Sequence, residues 1–151
     1  IQKQGYPPLI PYVKEMLERF RKAGYTMAVA SSSPKAYIEQ VTAFWGIDHY
    51  FQILVSGEQV QHPKPAPDVF LKAAEILGIL PQECLVIEDS ENGCKAAKAA
   101  DMTCMAYYNP DSGKQKLWWW RDLRKLMPCL QKRFTVTIII FQHLCVKQRG
   151  F

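Results

Sequence analysis

Between Pro11 and Tyr107 the sequence alternates between stretches of helical periodicity and short apolar runs, and this alternation constrains the fold more than any other feature. Val13, Met16, Leu17 and Phe20 recur at helical spacing up to Gly24, and the nearly continuous apolar run Tyr25 to Ala30 follows at once. Ala36 to Trp45 is periodic again up to Gly46, and Phe51 to Val55 reads as a second strand. Pro67 to Leu77 reads as a helix stopped by Gly78, Cys84 to Ile87 as a third strand, Glu91 to Ala100 as an Ala-rich helix and Thr103 to Tyr107 as a fourth strand. Runs as apolar as these suit strands buried on both faces, and strands joined through helices need crossover connections. The expectation for residues 11–108 is an α/β fold, a Rossmann-like parallel sheet with flanking helices.

In sheets of this kind ligands bind beyond the carboxyl ends of the strands. Three groups of residues stand there in the sequence. Ser31-Ser32-Ser33 follow the first strand, where hydroxyls and the free N–H groups of a helix start suit a phosphate, although serine also caps helices for purely structural reasons. Lys64 lies between Pro63 and Pro65 in the loop after the second strand, a long cation on a stiffened segment. Glu88 and Asp89 end the third strand, where two carboxylates after so apolar a run are costly unless paired or bound to metal. Hard oxygen ligands of this type suit Mg²⁺, which takes one or two carboxylates together with phosphate oxygens and water. Gly93 shortly afterwards allows the following helix to come close to its neighbours.

Taken in order, Val29-Ala30-Ser31-Ser32-Ser33, then Lys64-Pro65-Ala66-Pro67-Asp68-Val69-Phe70, then Val86-Ile87-Glu88-Asp89-Ser90-Glu91-Asn92-Gly93 resemble three motifs of the haloacid dehalogenase-like hydrolases. The closer likeness is to the β-phosphoglucomutase-like phosphatases and phosphomutases, over roughly residues 8–113. The resemblance implies Mg²⁺-dependent phosphoryl transfer from a small phosphorylated metabolite such as a sugar phosphate. It assigns Ser31 to the transferring phosphoryl group, with the amide of Ser32 assisting, and Lys64 to neutralising phosphoryl and nucleophile. It assigns Glu88 and Asp89 to the metal, Asp89 as the more direct ligand. The acidic pair favours phosphoryl transfer over dehalogenation. A receiver domain, which also combines carboxylates with a lysine, needs them in a different order.

The family's nucleophile and its neighbouring acid lie in an Asp-x-Asp motif at the end of a first strand, and no Asp-x-Asp occurs in these 151 residues. By comparison with the family the sequence opens after that strand and after the helical cap that follows it. The implication is a core without its nucleophile, inactive by itself. That first strand lies between the strands ending at Ala30 and Ile87, so its absence implies two inner sheet edges with unpaired backbone groups. A non-catalytic module that binds phosphate or a partner protein is the alternative reading.

Charge separates the chain into two parts. The formal net charge of +5 suggests a nucleic acid or an anionic membrane as partner, but residues 1–113 carry 10 Lys and Arg against 13 Asp and Glu. Residues 114–151 carry nine against the single acid Asp122, together with Trp118, Trp119 and Trp120. The basic character therefore belongs to the last segment, and neither nucleic acid nor membrane is expected as partner of the core. We read residues 1–113 as a partial core domain and 114–151 as a basic tail of foreign composition, an abrupt switch of the kind that out-of-frame translation produces. Within the tail the apolar run Thr135 to Phe141 suits a strand that pairs with an exposed sheet edge. Five cysteines without a C-x-x-C pair, and the absence of a leader-like segment after Ile1, fit a reduced, cytoplasmic protein.

Overall fold

The computed structural model describes residues 5–6 and 8–107 and, as backbone, 137–140. Helix α1 spans Val13–Lys22, strand β1 Thr26–Ser31, helix α2 Lys35–Phe44 and strand β2 Ile53–Ser56. Helix α3 spans Asp68–Leu77, strand β3 Cys84–Glu88, helix α4 Glu91–Ala99, strand β4 Thr103–Ala106 and strand β5 Thr137–Ile140. Each helix and strand read from periodicity is present within a residue or two of its expected limits. Short 3-10 turns at Asp48–Tyr50, Gly57–Gln59 and Pro81–Glu83 were not legible. Gly24 and Gly78 close α1 and α3 in the left-handed conformation, with φ of 83° and 66°. In both cases the residue after the glycine donates its N–H back into the last turn, Tyr25 to Phe20 O and Ile79 to Ala74 O, each at 3.0 Å.

All strands are parallel, in the order β2-β1-β5-β3-β4. Side chains alternate between the two faces of the sheet. On one face Met27 and Val29 of β1 and Leu85 and Ile87 of β3 pack with Val13, Leu17 and Phe20 of α1 and Ile38 of α2. On the other, Ala30, Val55 and Val86 pack with Val69, Phe70 and Ala73 of α3 and with Ala96 and Ala97 of α4. Burying each large side chain of this kind contributes about 1.5–3 kcal/mol, which is why runs apolar at every position become the inner strands. Among the described residues no helix is long and apolar enough to cross a membrane.

The two unpaired inner edges implied by the sequence do not occur. Strand β5 lies between β1 and β3, with Thr137 opposite both Thr26 and Cys84 and Ile140 opposite both Val29 and Ile87. The run from which it comes pairs with both of these inner edges, at the centre of the sheet. Buried N–H and C=O groups on facing edges require partners, and Thr-Ile-Ile-Ile is β-branched throughout. The boundary proposed at Gly113 and the tryptophan-rich segment lie outside the described residues.

Candidate active site

The carboxyl ends of β1, β2 and β3 gather the residues singled out by sequence. Ser31 and Ser56 are opposite one another at the ends of β1 and β2. Ser31 is buried, and its Oγ accepts the N–H of Ser33 at 3.1 Å, so its hydroxyl shapes the turn that follows the strand. Ser32, at the tip of that turn, is exposed. The turn is held from the β2 side. Ser56 Oγ donates to Ser33 O at 2.7 Å, and the side chain of Glu58 accepts the N–H of Lys35 at 2.9 Å. Gly57 lies against the backbone of Ser32, where a β-carbon would stand 3.2 Å from Ser32 Cα. Ser56, Gly57 and Glu58 were not selected by sequence reasoning, although Ser56 and Gln59 form a capping box at positions readable as such.

Lys64 enters from the loop between β2 and α3, where the Lys64–Pro65 peptide bond is cis, a geometry the sequence did not disclose. Its side chain is 3% exposed. Nζ donates to Glu88 Oε2 at 2.8 Å and to Ala30 O at 3.3 Å, and stands 4.6 Å from the centre of the Phe70 ring. The lysine thus ties the end of β1 to the end of β3, with the aromatic ring as a further partner for its charge. Phe70 belongs to the second motif, and its spacing from Lys64 places the first turn of α3 over the cation. The loop itself is fastened by Asp68, whose Oδ2 accepts the N–H of His62 at 3.1 Å and lies 3.0 Å from His62 Nδ1.

Glu88 is fully buried. One carboxylate oxygen takes Lys64, and the other accepts the N–H of Asp89 at 3.1 Å, the N–H of Ser90 at 3.2 Å and Ser90 Oγ at 3.1 Å. Burial pushes the Glu88 carboxyl above its ordinary range, and the neighbouring Lys64 offsets only part of that. Ser90 in turn caps α4 by accepting the N–H of Gly93 at 3.0 Å. The close approach allowed by Gly93 is to the Glu88 side chain itself: a β-carbon at Gly93 would lie 1.9 Å from Glu88 Cδ.

Asp89, the next residue, is half-buried at the start of the turn. Among the described residues no group of three or more His, Cys, Asp or Glu side chains is arranged to hold a metal. The donors offered are hard carboxylate oxygens of Glu88 and Asp89. They fit Mg²⁺ as a cation that keeps water and phosphate oxygens in its remaining positions, and Asp89 is the more exposed of the two. Lys64, Glu88 and the Asp89 backbone are therefore joined by hydrogen bonds, and Lys64 also reaches Ala30 O, next to Ser31 at the end of β1.

The profile of the haloacid dehalogenase-like hydrolases matches residues 2–107. A fructose-1-phosphate phosphatase from Escherichia coli is 41% identical over 95 residues, 63% of this chain and 48% of the relative. Hexitol phosphatase B of Escherichia coli is 35% identical over 105 residues, 70% of this chain and 47% of the relative. The chain spans about half the length of these curated relatives. A phosphatase from Thermococcus onnurineus has a similar structure, with a TM-score of 0.73 and 27% identity over 83% of this chain and 60% of that one. A β-phosphoglucomutase from Clostridium difficile gives 0.62 and 27% over 66% of this chain and 44% of that one.

Proposed function

Because this chain belongs to the haloacid dehalogenase-like hydrolases, we propose that its carboxyl edge serves Mg²⁺-dependent phosphoryl transfer from a small phosphorylated metabolite, a sugar or sugar-alcohol phosphate. The observation that carries this reading is the buried Lys64, held between Ala30 O and Glu88 at the strand ends. An ammonium has three N–H donors, of which Ala30 O and Glu88 take two, so its charge stays fixed at the edge where a phosphoryl group would lie. Ser31 and the amide of Ser32 stand at the neighbouring strand end and supply further donors to the same phosphoryl group. Glu88 fixes Lys64 and orders the Asp89–Ser90 turn, which sets Asp89 as the metal-holding carboxylate. Mg²⁺ bound there would offset the negative charge of the phosphoryl oxygens. The names of the two Escherichia coli relatives support the sugar-phosphate class.

These 151 residues contain no Asp-x-Asp, so their own side chains support binding and charge neutralisation of a phosphoryl group without supplying the nucleophile. The chain on its own is then a phosphate-binding half of the chemistry. Two measurements test this. Inorganic phosphate with Mg²⁺ is expected to raise the melting temperature of the protein, and Lys64→Met, which melts below the parent but folds by circular dichroism at low temperature, is expected to show no such rise. Hydrolysis of fructose 1-phosphate or p-nitrophenyl phosphate is expected to be absent. Phosphate-independent melting would overturn the site; turnover that depends on Lys64 would overturn the inactivity.

A further inference from the structure

The position of β5 assigns a role to a segment that composition alone sets apart from the core. Strands β1 and β3 are buried along almost their whole length, and they do not pair with each other. Their facing edges are one strand's width apart, and each contributes backbone N–H and C=O groups to the interior of the domain. Both apolar layers cross that gap: Met27 and Val29 share a cluster with Leu85 and Ile87 on one face, as Ala30 does with Val86 on the other. Thr137–Ile140 pairs in register with both edges over all four of its residues.

We infer that Thr137–Ile140 is the strand that closes this sheet, so that folding of residues 8–107 depends on a segment of the basic tail. The closure is structural and not chemical. Thr137–Ile140 contains no carboxylate, so the strand brings no acid of its own to the edge where Ser31, Lys64 and Glu88 stand. Any other strand that takes this position, including one equipped with a nucleophile, has to displace β5, since β1 and β3 leave room for one.

Hydrogen exchange on the unsubstituted full chain tests the inference directly. The amides of Ile138, Ile139 and Ile140 are expected to be protected to the same degree as those of Val29 and Val86, since all five lie on inner strands. Exchange of the three isoleucines at the rate of a free peptide, with β1 and β3 protected, would overturn it. In the full chain Ile139→Pro, which removes a ladder donor, is expected to abolish the cooperative melting transition, whereas Ile139→Val preserves it. An Ile139→Pro protein that melts at the parent temperature would likewise overturn the inference.

Discussion

Gly93 and Glu88 are mutually exclusive in volume: a β-carbon on the first would lie 1.9 Å from Cδ of the second and 2.1 Å from Oε2. The atom threatened is the oxygen that holds Lys64. Gly93→Ala should therefore cost more than ordinary overpacking, which is about 1–3 kcal/mol, because Glu88 can move only by releasing Lys64 or the Asp89–Ser90 turn. Urea denaturation should show the loss, and the stabilisation by phosphate with Mg²⁺ should disappear with it. An Ala variant that keeps both would contradict the packing described.

Lys64 and Glu88 form an ion pair with side chains 3% and 0% exposed, so removing one partner strands the other. Lys64→Met is expected to destabilise the protein by about 3–5 kcal/mol at neutral pH. Lys64→Met combined with Glu88→Gln should lose much less than the two single changes together. A double-mutant cycle by urea denaturation measures that coupling, and additivity would argue against a buried pair.

The raised Glu88 carboxyl gives a sign to the pH dependence. The ordinary value is 4.5, and the folded protein titrates this group higher because of burial, with Lys64 opposing. Between the unfolded and folded values the folded state binds more protons, so stability falls as pH rises through that window and levels off above it. The slope for one group is at most about 1.4 kcal/mol per pH unit. Relative to Glu88→Gln, the parent protein should lose stability from pH 4.5 upward; a parallel pair of curves would contradict the shift.

The described cysteines should differ in reactivity. Contact with Cys104 lowers the Cys94 thiol, and the same contact together with burial raises Cys104. Burial pushes the Cys84 thiol up to about 11, which leaves roughly a thousandth of it as thiolate at pH 8. Timed alkylation with iodoacetamide followed by mass spectrometry should label Cys94 ahead of Cys104 and Cys84. Equal rates in the native protein would contradict this order.

The succession of helices and strands was legible because β1 and β3 have uninterrupted apolar centres, Met27–Ala30 and Cys84–Ile87, and each of α1 and α3 ends at a glycine the backbone needs there. The convergence of Ser31, Lys64 and Glu88 on one edge was legible as topology, since parallel strands all end on the same side. What sequence did not disclose is how these groups divide their bonds. Glu88 and Asp89 are adjacent and chemically alike, yet one is sealed around a lysine and the other is half-buried. The difference arises from Gly93, whose missing side chain is the space Glu88 occupies. Strand β5 shows a similar limit: β-branched residues mark Thr137–Ile140 as a strand, but only the vacant edges of β1 and β3 determine where it pairs.

That pairing sets an order on folding. Strands β1, β2, β3 and β4 are all synthesised before β5, yet the backbones of β1 and β3 are joined in the sheet only through it. Among the described strands, β2 with β1 and β3 with β4 form two half-sheets, and β5 satisfies the inner edge of each. Contacts between such distant parts of the sequence form slowly, and open edges recruit strands from other molecules in the meantime. Within these residues the joint between the two half-sheets is the last part of the sheet to be made, and its inner edges are where strands of another molecule would add.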